Sequence, residues 1–344
     1  MAATSGSRLP SFSMVLETVN LELADLESVR RSLHSVAAQD LSPATANEVV
    51  MVESGELPEG TLSKLAADYP WLCIVKAPPD SGYEEAKIAG VSRTSGDVVV
   101  FFDSDCVYEA GWLRGLIEGL GERPDIDVLG GETMIRTDSA WALASAVLFS
   151  FEFYSGREAV YDAERFHFNN VAFRRAVLND APPPVRLPVF RVPTTFYAAL
   201  LRQRGFRIGR QPKSRARHQP PNGLAHFFWR FLIFGLDGVN ALRLPWPDRA
   251  AGPRNRPASR TYLLGRFAAI GAGHTAKVGR RLFWLAREAP GRLLYFPLAL
   301  PLILGGGMLM VAGFLSGLLA PKFLPSVMPA SVRRGSAYAE RRGP

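Results

Sequence analysis

Cysteine is scarce: Cys73 and Cys106 are the only two in 344 residues. Two thiols cannot build a disulfide framework or supply four thiolates to a structural zinc. Each lies beside an apolar run, so both are expected as buried free thiols in a reducing compartment. The opening MAATSGSRLPSFSMV has no uninterrupted apolar stretch followed by a small-residue cleavage site, so no secretory signal is expected. Long charge-poor, apolar-poor tracts are also missing. With 47% hydrophobic and 21% charged residues, disorder along most of the chain is excluded and a packed protein is expected.

Charge is unevenly spread. Residues 1 to 201 carry 16 Lys/Arg against 28 Asp/Glu, whereas residues 202 to 292 carry 19 against 3. The step implies an acidic domain followed by a basic segment that meets an anionic surface. Nucleic acid and anionic lipid both fit that description, and the next segment separates them. From Leu293 to Ala320 runs LLYFPLALPLILGGGMLMVAGFLSGLLA, 28 residues without one charge, long enough as a helix to cross a hydrocarbon core of about 30 Å. A membrane is therefore the expected surface, and no nucleic acid is expected as a partner. Pro297, Pro301 and Gly305 to Gly307 leave two forms open, a single kinked span or a re-entrant hairpin. Arginines and lysines flank both ends, so they do not orient a single span.

The first two hundred residues alternate short apolar runs with amphipathic stretches. Strands are expected at Phe12 to Leu16, Glu48 to Val52, Leu72 to Val75 and Val98 to Phe102, with helices at Leu26 to Val36, near 58 to 68 and near 83 to 94. This is the rhythm of an α/β fold, a mostly parallel, Rossmann-like sheet with helices on both faces. Ligands bind such sheets at the carboxyl ends of the strands. There the sequence places Glu53-Ser54-Gly55 and Asp103-Ser104-Asp105. If the chain stays extended past VVVFF, Asp103 and Asp105 point to one side and together hold a hard cation or its water shell.

These residues resemble the family 2 glycosyltransferases with the GT-A fold, over roughly residues 12 to 240. The resemblance is carried by the ordered series FSMVLETVN, SLHSVAAQ, EVVMVESG, SGYEEAKIAGVSRTSGDVVVFFDSDC, LGGET, FHFNNVAFRR and GFRI to RARH. It implies transfer of a sugar from a nucleotide diphospho-sugar, assisted by Mg2+ or Mn2+ between the DSD segment and the diphosphate. By the same resemblance, Thr18, Glu53, Lys87 and Asp103 fall on the nucleotide-sugar side. Asp103, Asp105 and His218 fall where the family binds metal, and Asn169 and Asn170 in its acceptor-facing segment. Glu53 replaces the usual Asp and Lys87 the usual Arg, which keeps a charge but loses the guanidinium fork. A nucleotidyltransferase is disfavoured, because Glu17-Thr18-Val19-Asn20 is not a glycine-rich loop with Arg or Lys.

The family's usual catalytic Glu-Asp pair aligns with Pro193-Thr194, and neither can take a proton near neutral pH. Glu158, Asp162, Glu164 and His167 are the nearest replacements, one of which is expected to be the base. The residues therefore imply a GT-A domain over 10–222, basic amphipathic interface helices over 223–290, a transmembrane or re-entrant segment over 291–322 and a flexible tail over 323–344. Residues 224 to 246 are expected to lie in the headgroup layer, 247 to 260 to form a flexible Pro/Arg connector, and 262 to 287 to press a second helix on anionic lipid. The expected activity is transfer to a membrane-associated acceptor, a lipid or lipid-linked molecule, at a cell membrane with the acidic domain on the cytoplasmic side. The alternative is a catalytically degenerate GT-A domain that binds nucleotide or carbohydrate without turnover.

Overall fold

A computed structural model describes residues 9–19, 26–55, 57–77, 81–190, 192–247, 260–329 and 333. The expected connector and the end of the expected tail lie largely outside the described residues. In chain order the elements begin with β1 (Phe12–Glu17), α1 (Leu26–Ala37), β2 (Val49–Glu53), α2 (Glu59–Asp68), β3 (Leu72–Lys76), α3 (Tyr83–Val91) and β4 (Val98–Phe102). Then follow β5 (Cys106–Tyr108), α4 (Trp112–Glu122), β6 (Val128–Ile135), α5 (Ala140–Leu148), β7 (Tyr161–Asp162), β8 (Asn170–Arg174) and α6 (Arg175–Asp180). The last group is α7 (Pro193–Gln203), β9 (Ile208–His218), α8 (Gly223–Arg243), α9 (Arg260–Glu288), α10 (Phe296–Leu319) and α11 (Phe323–Val327).

One sheet runs β3-β2-β1-β4-β8-β6-β9-β5, with β7 paired to β9. The first four strands are parallel, β8 is antiparallel to both β4 and β6, and β6 runs parallel to β9. β4 is buried throughout because both of its faces are covered. Val98, Val100 and Phe102 enter the core with α1 and α4, while Val99 and Phe101 enter a second core with Phe173 and Tyr197, the alternation expected of a strand. α3 lies close on the sheet at Gly90, where a Cβ would overlap Val15. β3 is an edge strand, and this corrects one expectation: Cys73 is exposed there, whereas Cys106 is buried.

The apolar segment is one helix. α10 contains Pro301 yet continues for 24 residues, about 36 Å at 1.5 Å per residue, so no hairpin forms. The stretch Pro290–Leu319, in which an 18-residue window reaches a mean hydropathy of 2.1, is long and apolar enough to cross a membrane. α8, expected at the membrane surface, packs much of its length inside the protein, with Leu224 and Phe228 left exposed. Phe227, Phe231, Leu236 and Val239 are buried, and α10 packs on the helix through paired glycines. A Cβ on Gly235 would overlap the Met310 carbonyl, and one on Gly313 would overlap the Leu232 carbonyl. An aromatic-rich run reads alike for a headgroup layer and for a helix–helix seam, and the glycine contacts decide for the seam. Opposite that seam, Leu298, Leu304, Met308, Leu315 and Leu319 stay exposed.

Candidate active site

The chain leaves β1 toward β2 on one side, and β4 lies on the other. A crevice therefore opens between the carboxyl ends of β1 and β4. β1 brings Glu17 and Thr18 to it, and β4 brings Asp103 to Asp105.

The chain turns immediately after Phe102, and the two aspartates take different partners. Asp103 accepts from the Tyr83 hydroxyl at 2.9 Å and from Lys87 Nζ at 2.7 Å. Lys87 has no exposed side-chain surface. Its ammonium also donates to the Phe102 carbonyl at 3.1 Å and lies 4.7 Å from the centre of the Tyr83 ring. Tyr83 and Lys87 are four apart on α3, so one helical face presents both to the acid. The turn itself is pinned by Tyr108, whose hydroxyl accepts from the Asp103 amide at 2.8 Å and donates to the Asn169 carbonyl at 2.8 Å.

Asp105 is instead paired with His218, its Oδ2 3.2 Å from Nε2 at the end of β9. β5 pairs antiparallel with β9 and sets Cys106 opposite His218, so the ligating atoms of Asp105, Cys106 and His218 all fall within 4.8 Å of one another. Burial, with Asp105 and Asp103 nearby, pushes the Cys106 thiol well above its ordinary pKa, so it remains protonated and is a poor ligand for a hard cation. The carboxylate and imidazole are a donor set that Mn2+ accepts, with positions left open. A cleft of about 410 Å³ adjoins them, lined by Arg31, Arg136, Trp141, Gln219 and His226 among others.

Glu17 was overlooked as a site residue by sequence reasoning. It is buried, its carboxylate accepts from the Val19 amide at 2.5 Å, and its pKa is raised well above 4.5. Burial is the main cause. Lys87 opposes it, and Asp103 and Asp105 add to it. Its place immediately before Thr18 was the signal that could have found it, as the four-residue spacing to Lys87 was for Tyr83.

Thr18 and Glu53 knit the strand ends together. Thr18 Oγ1 accepts from the Ser54 amide at 3.0 Å, and Glu53 Oε1 accepts from the Gly55 and Leu57 amides at 2.6 and 3.1 Å. Asn169 Oδ1 accepts from Thr133 at 3.1 Å. Asn170 does not face an acceptor: it is fully buried, accepts from Trp112 Nε1 at 2.8 Å, and donates to the Glu132 and Ser214 carbonyls at 3.1 and 3.0 Å.

The four expected bases are scattered. Asp162, the last residue of β7, pairs with Gly209 near the start of β9 and lies 3.1 Å from Arg207, at the opposite end of β9 from His218. β7 runs back along β9 and carries it there. Glu164, next to that strand, is exposed and its carbonyl accepts from Arg202. Glu158 is exposed on the loop before β7. His167 alone comes near the cleft. Its ring packs on Phe151 at 4.8 Å, and Phe151 packs on His218 at 4.9 Å. Burial, then Arg210, Arg165, His218 and Lys277, hold the His167 pKa well below 6.5, so the imidazole is neutral.

Residues 22–181 match the sequence profile of Glycosyl transferase family 2. Over that stretch, just under half of its length, the chain is similar to the family 2 glycosyltransferases. Its sheet places it among GT-A folds: a mannosyltransferase, PcManGT from Pyrobaculum calidifontis in complex with GDP-Man and Mn2+, superposes with a TM-score of 0.53 at 16% identity, over 91% of this chain and 88% of that one. Among curated relatives, polypeptide N-acetylgalactosaminyltransferase 15 of Mus musculus is 29% identical over 114 residues, 30% of this chain and 18% of that protein. Glycosyltransferase AglE of Haloferax volcanii is 29% identical over 131 residues, 36% of this chain and 40% of that protein. The chain thus spans less than half the length of these curated relatives.

Proposed function

We propose that the protein transfers a sugar from a nucleotide diphospho-sugar to an acceptor resident in a membrane. The observation that carries the reading is the pairing of Asp105 with His218, 3.2 Å apart, beside the Lys87-held Asp103 in the crevice of a family 2-like domain. Relatives support it, since PcManGT is described with GDP-Man and Mn2+.

Asp105 and His218 would hold the divalent cation, Mg2+ or Mn2+. When bound, the ion supplies positive charge to the departing diphosphate. Lys87 neutralises Asp103 and keeps a second acid in the crevice without repelling an anionic donor. Thr18, Glu53 and Asp103 face the nucleotide side. Neutral His167, with a free ring nitrogen, is the proposed base that takes the acceptor hydroxyl proton, and Asn169 the proposed acceptor contact. α10 would anchor the chain in the bilayer, and the acceptor, a lipid or lipid-linked molecule, would reach the cleft from that side. The acidic domain would then face the cytoplasm.

The test is hydrolysis and transfer of UDP- and GDP-sugars by membranes carrying the full chain, with and without Mn2+. Metal-dependent release of nucleotide should fall in Asp105→Ala by at least the roughly 10- to 100-fold that losing even an outer-shell partner of a metal ligand costs. Equal rates in wild type and variant would end the reading. The three displaced carboxylates favour one second reading, a domain that binds without turnover. It predicts thermal stabilisation by nucleotide with no product from any donor.

A further inference from the structure

A second cavity, about 340 Å³, lies between residues 149–153 and α9, lined by Glu152, Phe153, Lys277, Arg280, Arg281 and Trp284. Cations dominate it. Its one lining carboxylate, Glu152, is taken by Arg165. Arg281 is buried and donates to the Val147 and Phe151 carbonyls. Lys277 and Arg280 have no hydrogen bond or ion pair among the described residues. Two buried atoms in the same region lack partners, Arg210 Nε and His274 Nε2. Crowding shows in the acid–base balance: burial, then Arg165 and Arg281, lower the Lys277 pKa, and Arg281 falls to about 10 mainly through burial. An anion placed among Lys277, Arg280 and Arg281 would relieve that repulsion.

Position narrows the anion's identity. Leu285, one turn beyond Arg281, is buried with Val147 and with Ala299 in the first turns of α10, and Phe153 packs on Trp284 at 4.9 Å. The cavity therefore sits where the apolar helix begins. Leu294 and Leu298, exposed at 82% and 72%, lead from it along the open face of α10. On its inner side, Phe151 separates it from His218.

We propose that this cavity binds the phosphate head of a membrane lipid, with the lipid chain lying along the exposed face of α10. The membrane placement rests on the reading given above. The site would present a phosphate-bearing acceptor to the cleft from the bilayer side.

The test uses the full chain in phosphatidylcholine nanodiscs, without donor, metal or turnover. Failure of the donor reading therefore leaves it standing, and its own failure leaves donor binding intact. Hexadecyl phosphate is titrated while tryptophan emission is recorded, with Trp284→Phe assigning the signal. Saturable binding is expected, weakened about tenfold or more in Lys277→Ala/Arg280→Ala, the usual effect of losing hydrogen bonds to a charged group, and largely restored in Lys277→Arg. Three results would each overturn the proposal. The double variant could bind as wild type at an unchanged melting temperature. Phosphatidylglycerol could produce the same response, which would reveal only a charged bilayer surface. Inorganic phosphate could saturate the site at the same concentration, which would reveal a free-anion site.

Discussion

Lys87 and Asp103 form a buried pair whose removal tests the electrostatics of the crevice directly. Their side chains are 0% and 14% exposed, with 2.7 Å between Nζ and Oδ1. Lys87→Met strips Asp103 of its cation and leaves Tyr83 as its side-chain partner, beside buried Glu17. Breaking one side of such a pair costs about 3–5 kcal/mol, whereas replacing both sides by neutral groups of similar size is often close to neutral. The partial exposure of Asp103 and the Tyr83 bond place the single variant toward the lower figure, about 3 kcal/mol. Asp103→Asn strands a fully buried ammonium on the Phe102 carbonyl and the Tyr83 ring, with a cost of similar size. The double variant Lys87→Met/Asp103→Asn should therefore be more stable than either single one. Urea melts of all four proteins in the same detergent close the cycle, with an expected coupling above about 1.5 kcal/mol. A double variant that loses the plain sum of the two single losses, within about 0.5 kcal/mol, refutes the reasoning.

Glu17 supplies a pH test in the metal-free protein. Its folded pKa lies above the ordinary 4.5, so the folded state holds a proton that the unfolded chain has released. Its contribution is present at acid pH and is lost as pH rises from about 4.5 through the folded pKa. Glu17→Gln should flatten that part of the stability–pH curve, and an identical slope in the variant would show that Glu17 titrates normally. Gly235→Leu drives a side chain into the Met310 carbonyl, and overpacking of this kind costs about 1–3 kcal/mol. Thermal denaturation in detergent should drop by several degrees, while Gly307→Leu, at a position open to space, should leave it unchanged. In transfer assays His167→Ala should remove most turnover and Asp162→Asn almost none. The reverse pattern would reassign the base to the far end of the sheet.

What could be read from the chain alone is what short-range pattern encodes. The run VVVFF predicted β4 with the observed bounds, and the neighbouring apolar runs located β1 to β3 to within a residue or two. A strand buried on both faces must be apolar at every position, and that is a local property. The uncharged run from Leu293 likewise declared α10, and the sequence order of the motifs pointed to the family. Whether two residues meet is not local. Asp103 and Asp105, adjacent but for one serine, take different partners after the turn that follows Phe102. Asp105 meets His218, 113 positions later, only because β5 folds back on β9. Asn170 looked available for a ligand until the sheet enclosed it beside Trp112. Asp162 looked close to His167 along the chain, yet the antiparallel course of β7 carries it away. Composition and period are written in consecutive residues, and they determined the class of fold and the kind of chemistry. The choice of which acid faces which histidine, and which helix hides against which, depends on strand order and on glycines whose missing Cβ atoms let backbones touch, and only the assembled structure decides it.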